Sequence, residues 1–218
     1  MDNAHFWFQD TSGGGGGDAG DPIGESLRFR GAQRLSKDNF TQLHSRNSTI
    51  SYWIKRGKLG TQQTIGVLDN GGNNGFGEFL PDNTFRIYTQ TGSIDITKQV
   101  FRDPSAWMHF HLTQTTLWVN GEIALSGNLI DPTSGHDKFF IGVYGLNNIR
   151  YFDGYLAEFY FIDGQTLDPT TFGRYNSKGI WVPVDPKKDG DTAWYGTNGF
   201  HLTFADPTDV GKDYSGNG

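Results

Sequence analysis

The chain has no cysteine among its 218 residues. That single absence excludes disulfides, thiolate zinc sites and thiol nucleophiles together. No apolar run approaches the ~20 residues that a membrane-spanning helix requires, and the mean hydropathy is −0.54. Apolar residues at helical spacing are nearly missing, which argues against a helical bundle. Positive charge is also short: 18 Lys and Arg face 24 Asp and Glu, for a net charge of −6. With no basic stripe, neither a nucleic-acid partner nor membrane insertion is expected. The N-terminus lacks a basic and then apolar signal segment. Asn39-Phe40-Thr41 and Asn47-Ser48-Thr49 match the glycosylation sequon, but without such a segment they read as polar turn residues.

What the chain does contain is aromatic and glycine-rich: 17 Phe, 9 Tyr, 6 Trp and 31 Gly. Aromatics suit pleated surfaces and glycines suit tight turns, the composition of an all-β domain. A domain of this length buries roughly 70% of its unfolded surface, so a core without covalent staples is feasible. Strand-sized runs recur at short spacing. They are Ser26-Leu27-Arg28-Phe29, Thr49 to Lys55, Gln63 to Leu68, Gly75 to Leu80, Thr84 to Gln90, Met108 to Leu112, Thr116 to Asn120, Phe139 to Tyr144 and Gly199 to Phe204. Asn120-Gly121 is a strong hairpin signal, and Pro81-Asp82-Asn83 reads as a second turn. Six of the eight prolines follow Asp, which is type I turn chemistry and marks connections. Asp168-Pro169-Thr170 predicts one helical turn, with Asp168 as its cap.

The longest strand signal is Phe152 to Leu167, bracketed by Asp153-Gly154 and Asp163-Gly164. Strict alternation sets Tyr155, Ala157, Phe159 and Phe161 on one face and Leu156, Glu158, Tyr160 and Ile162 on the other. Apolar groups on both faces predict a strand covered on both sides, near the centre of a sheet sandwich. Residues 1–24 read as a flexible tether, because the run Gly13 to Gly17 cannot hold a core. No Gly-Lys-Ser/Thr follows that run, so it is not a phosphate loop. The aromatic cluster Phe6-Trp7-Phe8 beyond the tether either docks on a partner or folds back on its own domain.

Several motifs in fixed order resemble a known family. Ala106-Trp107-Met108-His109, followed by Leu117-Trp118-Val119-Asn120-Gly121, is similar to a strand pair of laminin-G-like, concanavalin A-like jelly rolls. Phe140-Ile141-Gly142 with Phe152-Asp153-Gly154-Tyr155-Leu156-Ala157-Glu158, and Ser51-Tyr52-Trp53-Ile54-Lys55, resemble further strands of that family. Lys55 to Gly60, Val100 to Trp107, Phe152 to Glu158, Phe161 to Gln165 and Tyr195 to Phe200 resemble jelly-roll domains of tailed-bacteriophage virion proteins. The resemblance implies an antiparallel jelly-roll β-sandwich over residues 25–218, and that the chain is a fragment of a longer protein.

The family includes glycosidases, and retaining hydrolysis needs two carboxyls about 5 Å apart. Here Glu158 and Asp95 each stand alone on a strand, without a partner at i+2 or i+4, so no catalytic residues are expected. His109 and His111 share a strand face and would bind zinc if His136 or His201 supplied a third ligand; the alternative is packing. Asp69, Asn70, Asn73 and Asn74 form an oxygen-rich loop of the kind that holds calcium; the alternative is an Asn/Gly turn, and no other cofactor is implied. Trp118, Tyr144, Tyr151, Trp181, Trp194 and Tyr195 are candidates for stacking on sugar rings or packing on a neighbouring subunit.

Together these readings predict a non-enzymatic module of the phage virion: a tail fibre, spike or head decoration. Phe6, Trp7 and Phe8 would anchor it. Its partners would be other virion proteins, further copies of itself and host surface glycans. The alternatives are a carbohydrate-binding lectin not tied to a virion and, less favoured, a glycan hydrolase.

Overall fold

The computed structural model describes residues 23–38, 40, 47–69, 74–88, 94–129, 138–145 and 148–218. Two antiparallel sheets face one another. The first, sheet A, contains β1 (Leu27–Arg30), β3 (Ser48–Arg56), β8 (Met108–Thr113), β9 (Thr116–Val119), β10 (Glu122–Ser126), β12 (Asp153–Asp163) and β15 (Phe200–Leu202). Its order is β1-β12-β3-β8-β9-β10, with β15 on the far half of β12. Sheet B contains β2 (Leu35–Asp38), β4 (Gln63–Asp69), β5 (Asn74–Phe79), β6 (Phe85–Tyr88), β7 (Ile94–Ile96) and β11 (Lys138–Ile141), in the order β2-β11-β4-β5-β6-β7. The expected sandwich is therefore present. The strand predicted at the centre of a sheet, β12, pairs with β3 on one side and with β1 and β15 on the other.

Alternation fills the space between the sheets with aromatic rings. β3 directs Ile50, Tyr52 and Ile54 inward, and β8 directs Phe110 and Leu112. Tyr52 stacks on Phe159 with ring centroids 5.1 Å apart and on Phe110 at 5.8 Å. Phe29, Phe79, Phe85, Phe139 and Phe200 complete the layer. At roughly 1.5–3 kcal/mol for each fully buried side chain of this kind, the aromatic layer dominates the favourable side of folding. Asn120 (φ 51°) and Gly121 (φ 80°) make the predicted two-residue hairpin between β9 and β10. The Asp168 carboxylate accepts from Thr170 N, capping a single 3-10 turn at Pro169–Thr171.

Strict alternation along β12 fails at one residue. Ala157 pairs with Trp53 but Tyr160 pairs with Ser51, so β12 carries one residue more than β3 across that interval. Glu158 takes the bulge with φ 46°. As a result Leu156, Phe159 and Phe161 all face the central core, while Ala157, Tyr160 and Ile162 face the opposite way. The two-face assignment read from the sequence is correct only up to this point, because a bulge moves every later side chain to the other face.

The outer face of sheet A is itself covered. β13 (Gly173–Tyr175) and β14 (Trp181–Pro183) form a two-stranded ribbon, and α1 (Thr192–Tyr195) follows. Trp181 packs with Trp53, Ala157 and Ile23, and Tyr195 and Phe172 pack with Tyr160 and Ile162. Ile23 is thus already part of the folded body, inside the segment read as tether.

Candidate functional site

The outer face of sheet B gathers aromatic and guanidinium groups. In β6, Phe85 and Ile87 are buried in the core, so Arg86 and Tyr88 point outward. Glu78 lies opposite Arg86 on β5, with Thr64 beyond it on β4. Val67 and Phe140 pair across β4 and β11, and with Val143 they form a small apolar cluster against which Tyr144 and Tyr151 pack. A bridge between Tyr144 and Ile149 folds the segment from Gly142 to Phe152 back on itself, setting both tyrosines and Arg150 on the sheet.

The polar contacts are dense. The Glu78 side chain has no exposed surface. It accepts from Gln62 Nε2 at 2.9 Å, Thr64 Oγ1 at 3.3 Å, Arg150 Nη1 at 3.4 Å, and Arg86. Arg150 also donates to the Tyr88 hydroxyl at 3.2 Å, as does Arg86. Each guanidinium lies over a tyrosine: Arg86 at 4.4 Å from the Tyr88 ring centre, Arg150 at 4.5 Å from that of Tyr144. The two tyrosine rings are 6.3 Å apart. Burial, then the neighbouring Glu78 carboxylate, hold the Tyr88 hydroxyl above the usual phenol range. Burial pulls the Arg150 guanidinium down, but Glu78, Tyr88 and Tyr144 outweigh it and leave it above its ordinary value. Arg34 adds a third guanidinium, 5.4 Å over the Phe140 ring and 2.5 Å from Asn148 Oδ1.

The six aromatics expected at the surface divide. Tyr144 and Tyr151 meet on this face, half-buried. Trp181 and Tyr195 are buried under the ribbon and α1, so they are packing groups and not contact residues. Trp194 is half-buried, edge-on to Tyr195. Trp118 stands on sheet A, edge-on to His111 at 5.2 Å. The predicted anchor Phe6, Trp7 and Phe8 lies outside the described residues, as do Asn70, Asn73 and His136. Of that oxygen-rich set, Asp69 ends β4 and Asn74 begins β5.

The zinc reading of His109 and His111 does not survive their surroundings. Trp181 Nε1 donates to His109 Nδ1 at 3.0 Å, which leaves the ring proton on Nε2, 2.8 Å from Ser51 Oγ. Burial, then the neighbouring His111, push the His109 pKa well below its usual value. His111 Nε2 donates to the Leu167 carbonyl at 3.0 Å, and burial lowers its pKa to about 4. His201 sits elsewhere, between two carboxylates: Nε2 is 2.8 Å from Glu158 Oε2 and Nδ1 is 2.9 Å from Asp189 Oδ1. Both carboxylates are acceptors, so the site favours the protonated ring, which donates from both nitrogens. The ring stacks on Tyr160 at 3.9 Å. Among the described residues no three His, Asp or Glu side chains converge as metal ligands.

A family model described as Laminin_G_3, concanavalin A-like lectin/glucanases superfamily, matches residues 29–170. Solved structures with the same fold include a heptameric SAP-like pentraxin from Limulus polyphemus (15% identity, 65% of this chain and 76% of that one, TM-score 0.51). Domain 4 of AbnA, a GH43 extracellular arabinanase from Geobacillus stearothermophilus, solved in complex with arabinotriose, is also similar (19% identity, 73% and 82%, TM-score 0.51). The sialidase of Trypanosoma rangeli, in complex with sialic acid, matches over 69% of this chain but only 27% of its own length (10% identity, TM-score 0.53). At these identities the likeness is one of fold. No curated protein matches the sequence.

Proposed function

Because this chain belongs to the concanavalin A-like lectin/glucanases superfamily, we propose that it is a carbohydrate-binding module whose contact surface is the outer face of sheet B. The observation that supports this reading is the grouping of Tyr88, Tyr144 and Tyr151 with polar guanidiniums on one face. Aromatic rings with a polar tip suit a ligand that has both apolar ring faces and hydroxyls. The module binds without cleaving. Glu78, the described carboxylate at the centre of this face, is fully enclosed and held by four side-chain donors, so it is not free to attack or protonate a glycosidic bond.

The test is binding to a glycan array by the protein and by Tyr144→Ala and Tyr151→Ala, with melting temperature measured alongside. Loss of sugar binding in variants that remain folded supports the reading; full retention in both, or no glycan bound by the parent protein, overturns it. The motifs from Lys55 to Gly60 and Phe152 to Glu158, similar to those of tailed-phage virion proteins, support placing the module on a particle beside other virion proteins. Weak sugar contacts there gain about 10² to 10⁴ in affinity through many copies. Absence of the chain from purified particles removes that placement and leaves sugar binding standing.

A further inference from the structure

We propose that the sheet B face selects sugars bearing a carboxylate, with Arg150 and Arg34 as the groups that receive it. This rests on the carbohydrate-binding reading and narrows it to a ligand class. The argument begins with charge. The described side chains of the patch include three guanidiniums, Arg34, Arg86 and Arg150, and one carboxylate, Glu78. In the next row, Lys138 on β11 stands in register between Asp38 on β2 and Asp69 on β4, which takes one charge from the excess of two and leaves one. The face is therefore locally positive on a chain whose net charge is −6, so the positive charge is not a general property of the surface.

Donor geometry gives the second step. A guanidinium carries five N–H donors. Among the described residues Arg150 donates from Nη1 alone, to Glu78 and Tyr88, and Arg34 from Nη1 alone, to Asn148. The Nε and Nη2 edge of Arg150 is left available, and that edge matches a planar carboxylate in two parallel bonds. Glu78 and the Tyr144 ring fix the guanidinium in place before any ligand arrives, which lowers the ordering cost of binding. Arg150 keeps 29% of its side chain exposed, whereas Arg86 keeps 16%. Arg150 is therefore the receiving group and Arg86 the brace. A sugar ring resting on Tyr144 or Tyr151 would carry its carboxylate to this edge.

Matched glycan pairs provide the test: uronate- or sialate-bearing oligosaccharides, each beside its carboxyl-reduced neutral counterpart, and a sulfated oligosaccharide without carboxylate. The expected result is binding of at least one acidic member, at least ~10-fold weaker after carboxyl reduction and weakening as salt is raised. Arg34→Gln, at an exposed position, and Arg150→Gln should each reduce acidic binding by a larger factor than neutral binding, so that the acidic-to-neutral ratio falls; an unchanged ratio in both overturns the inference. Arg150→Lys should recover only part, because an ammonium lacks the fork. Equal binding of acidic and neutral partners overturns this inference but leaves the module a carbohydrate binder. Binding of the sulfated chain alone overturns the choice of carboxylate. No binding to any sugar overturns the parent reading as well.

Discussion

Glu78→Gln removes one charge from a fully enclosed side chain and leaves its shape almost unchanged. Gln62 and Thr64 bond different oxygens of the carboxylate, so the single amide oxygen keeps one of these bonds and turns an NH2 toward the other partner, and Arg86 and Arg150 lose their shared counter-charge. Removing one partner of a buried ion pair costs about 3–5 kcal/mol. Here 16% of the Arg86 side chain and 29% of the Arg150 side chain remain exposed, so water takes up part of the loss and about 2–3 kcal/mol remains. In a domain of this size each kcal/mol shifts the melting temperature by about 2–4 °C, so a fall of ~5–10 °C is expected. Thermal unfolding followed by near-ultraviolet circular dichroism measures it. Adding Arg86→Met should restore much of the loss, since replacing both partners of a buried pair is often close to neutral. A Glu78→Gln protein melting within about 1 °C of the parent would refute the claim that this carboxylate organises the face. A double variant less stable than the single would show that Arg86 acts by packing and not by charge.

Two further outcomes follow from the fold. Gly121→Ala places a Cβ 2.5 Å from the Trp181 ring at a backbone φ of +80°, and about 2–4 kcal/mol should be lost; Gly164→Ala, at φ +95° with open space around it, should lose only about 1–2 kcal/mol. A comparable loss in both refutes the clash. Stability should also peak near pH 6.5. His109 and His111 have pKa values lowered by burial, so below about 6.5 the unfolded chain binds protons that the folded chain refuses, and stability falls with pH. His111 alone, lowered to about 4, accounts for about 3 kcal/mol by that pH. Burial depresses His201, but Glu158 and Asp189 outweigh it and raise its pKa. Its contribution is therefore complete below about 6.5 and lost as pH rises through the folded value. Urea unfolding from pH 4 to 8 tests both limbs, and a flat profile refutes the assignment.

Much of the architecture is legible in the sequence, because β3, β8 and β12 carry apolar residues at period two and tight turns separate them. β2, with the sequence Leu-Ser-Lys-Asp, was invisible because an edge strand needs little apolar content. The bulge at Glu158 was invisible because no glycine or proline marks it. Tyr144 and Tyr151 were legible as candidate surface aromatics. Glu78, Arg86, Tyr88 and Arg150 were not, since only strand register brings residues so distant in sequence together. Trp181 and Tyr195 were misread because no local pattern reveals that a later ribbon and helix cover sheet A.

That cover makes the two faces unequal in what they tolerate over evolutionary time. Ser51, His109 and His111, on the outer side of sheet A, are enclosed as fully as the core, and substitutions there meet the penalties of an interior. Arg34 stands exposed, and Arg150, Tyr144 and Tyr151 half-buried, on the open side of sheet B, where exchanges meet smaller penalties than in an interior. Ligand preference can therefore drift among descendants of this chain by change on one side alone, while the other side preserves the framework that presents it.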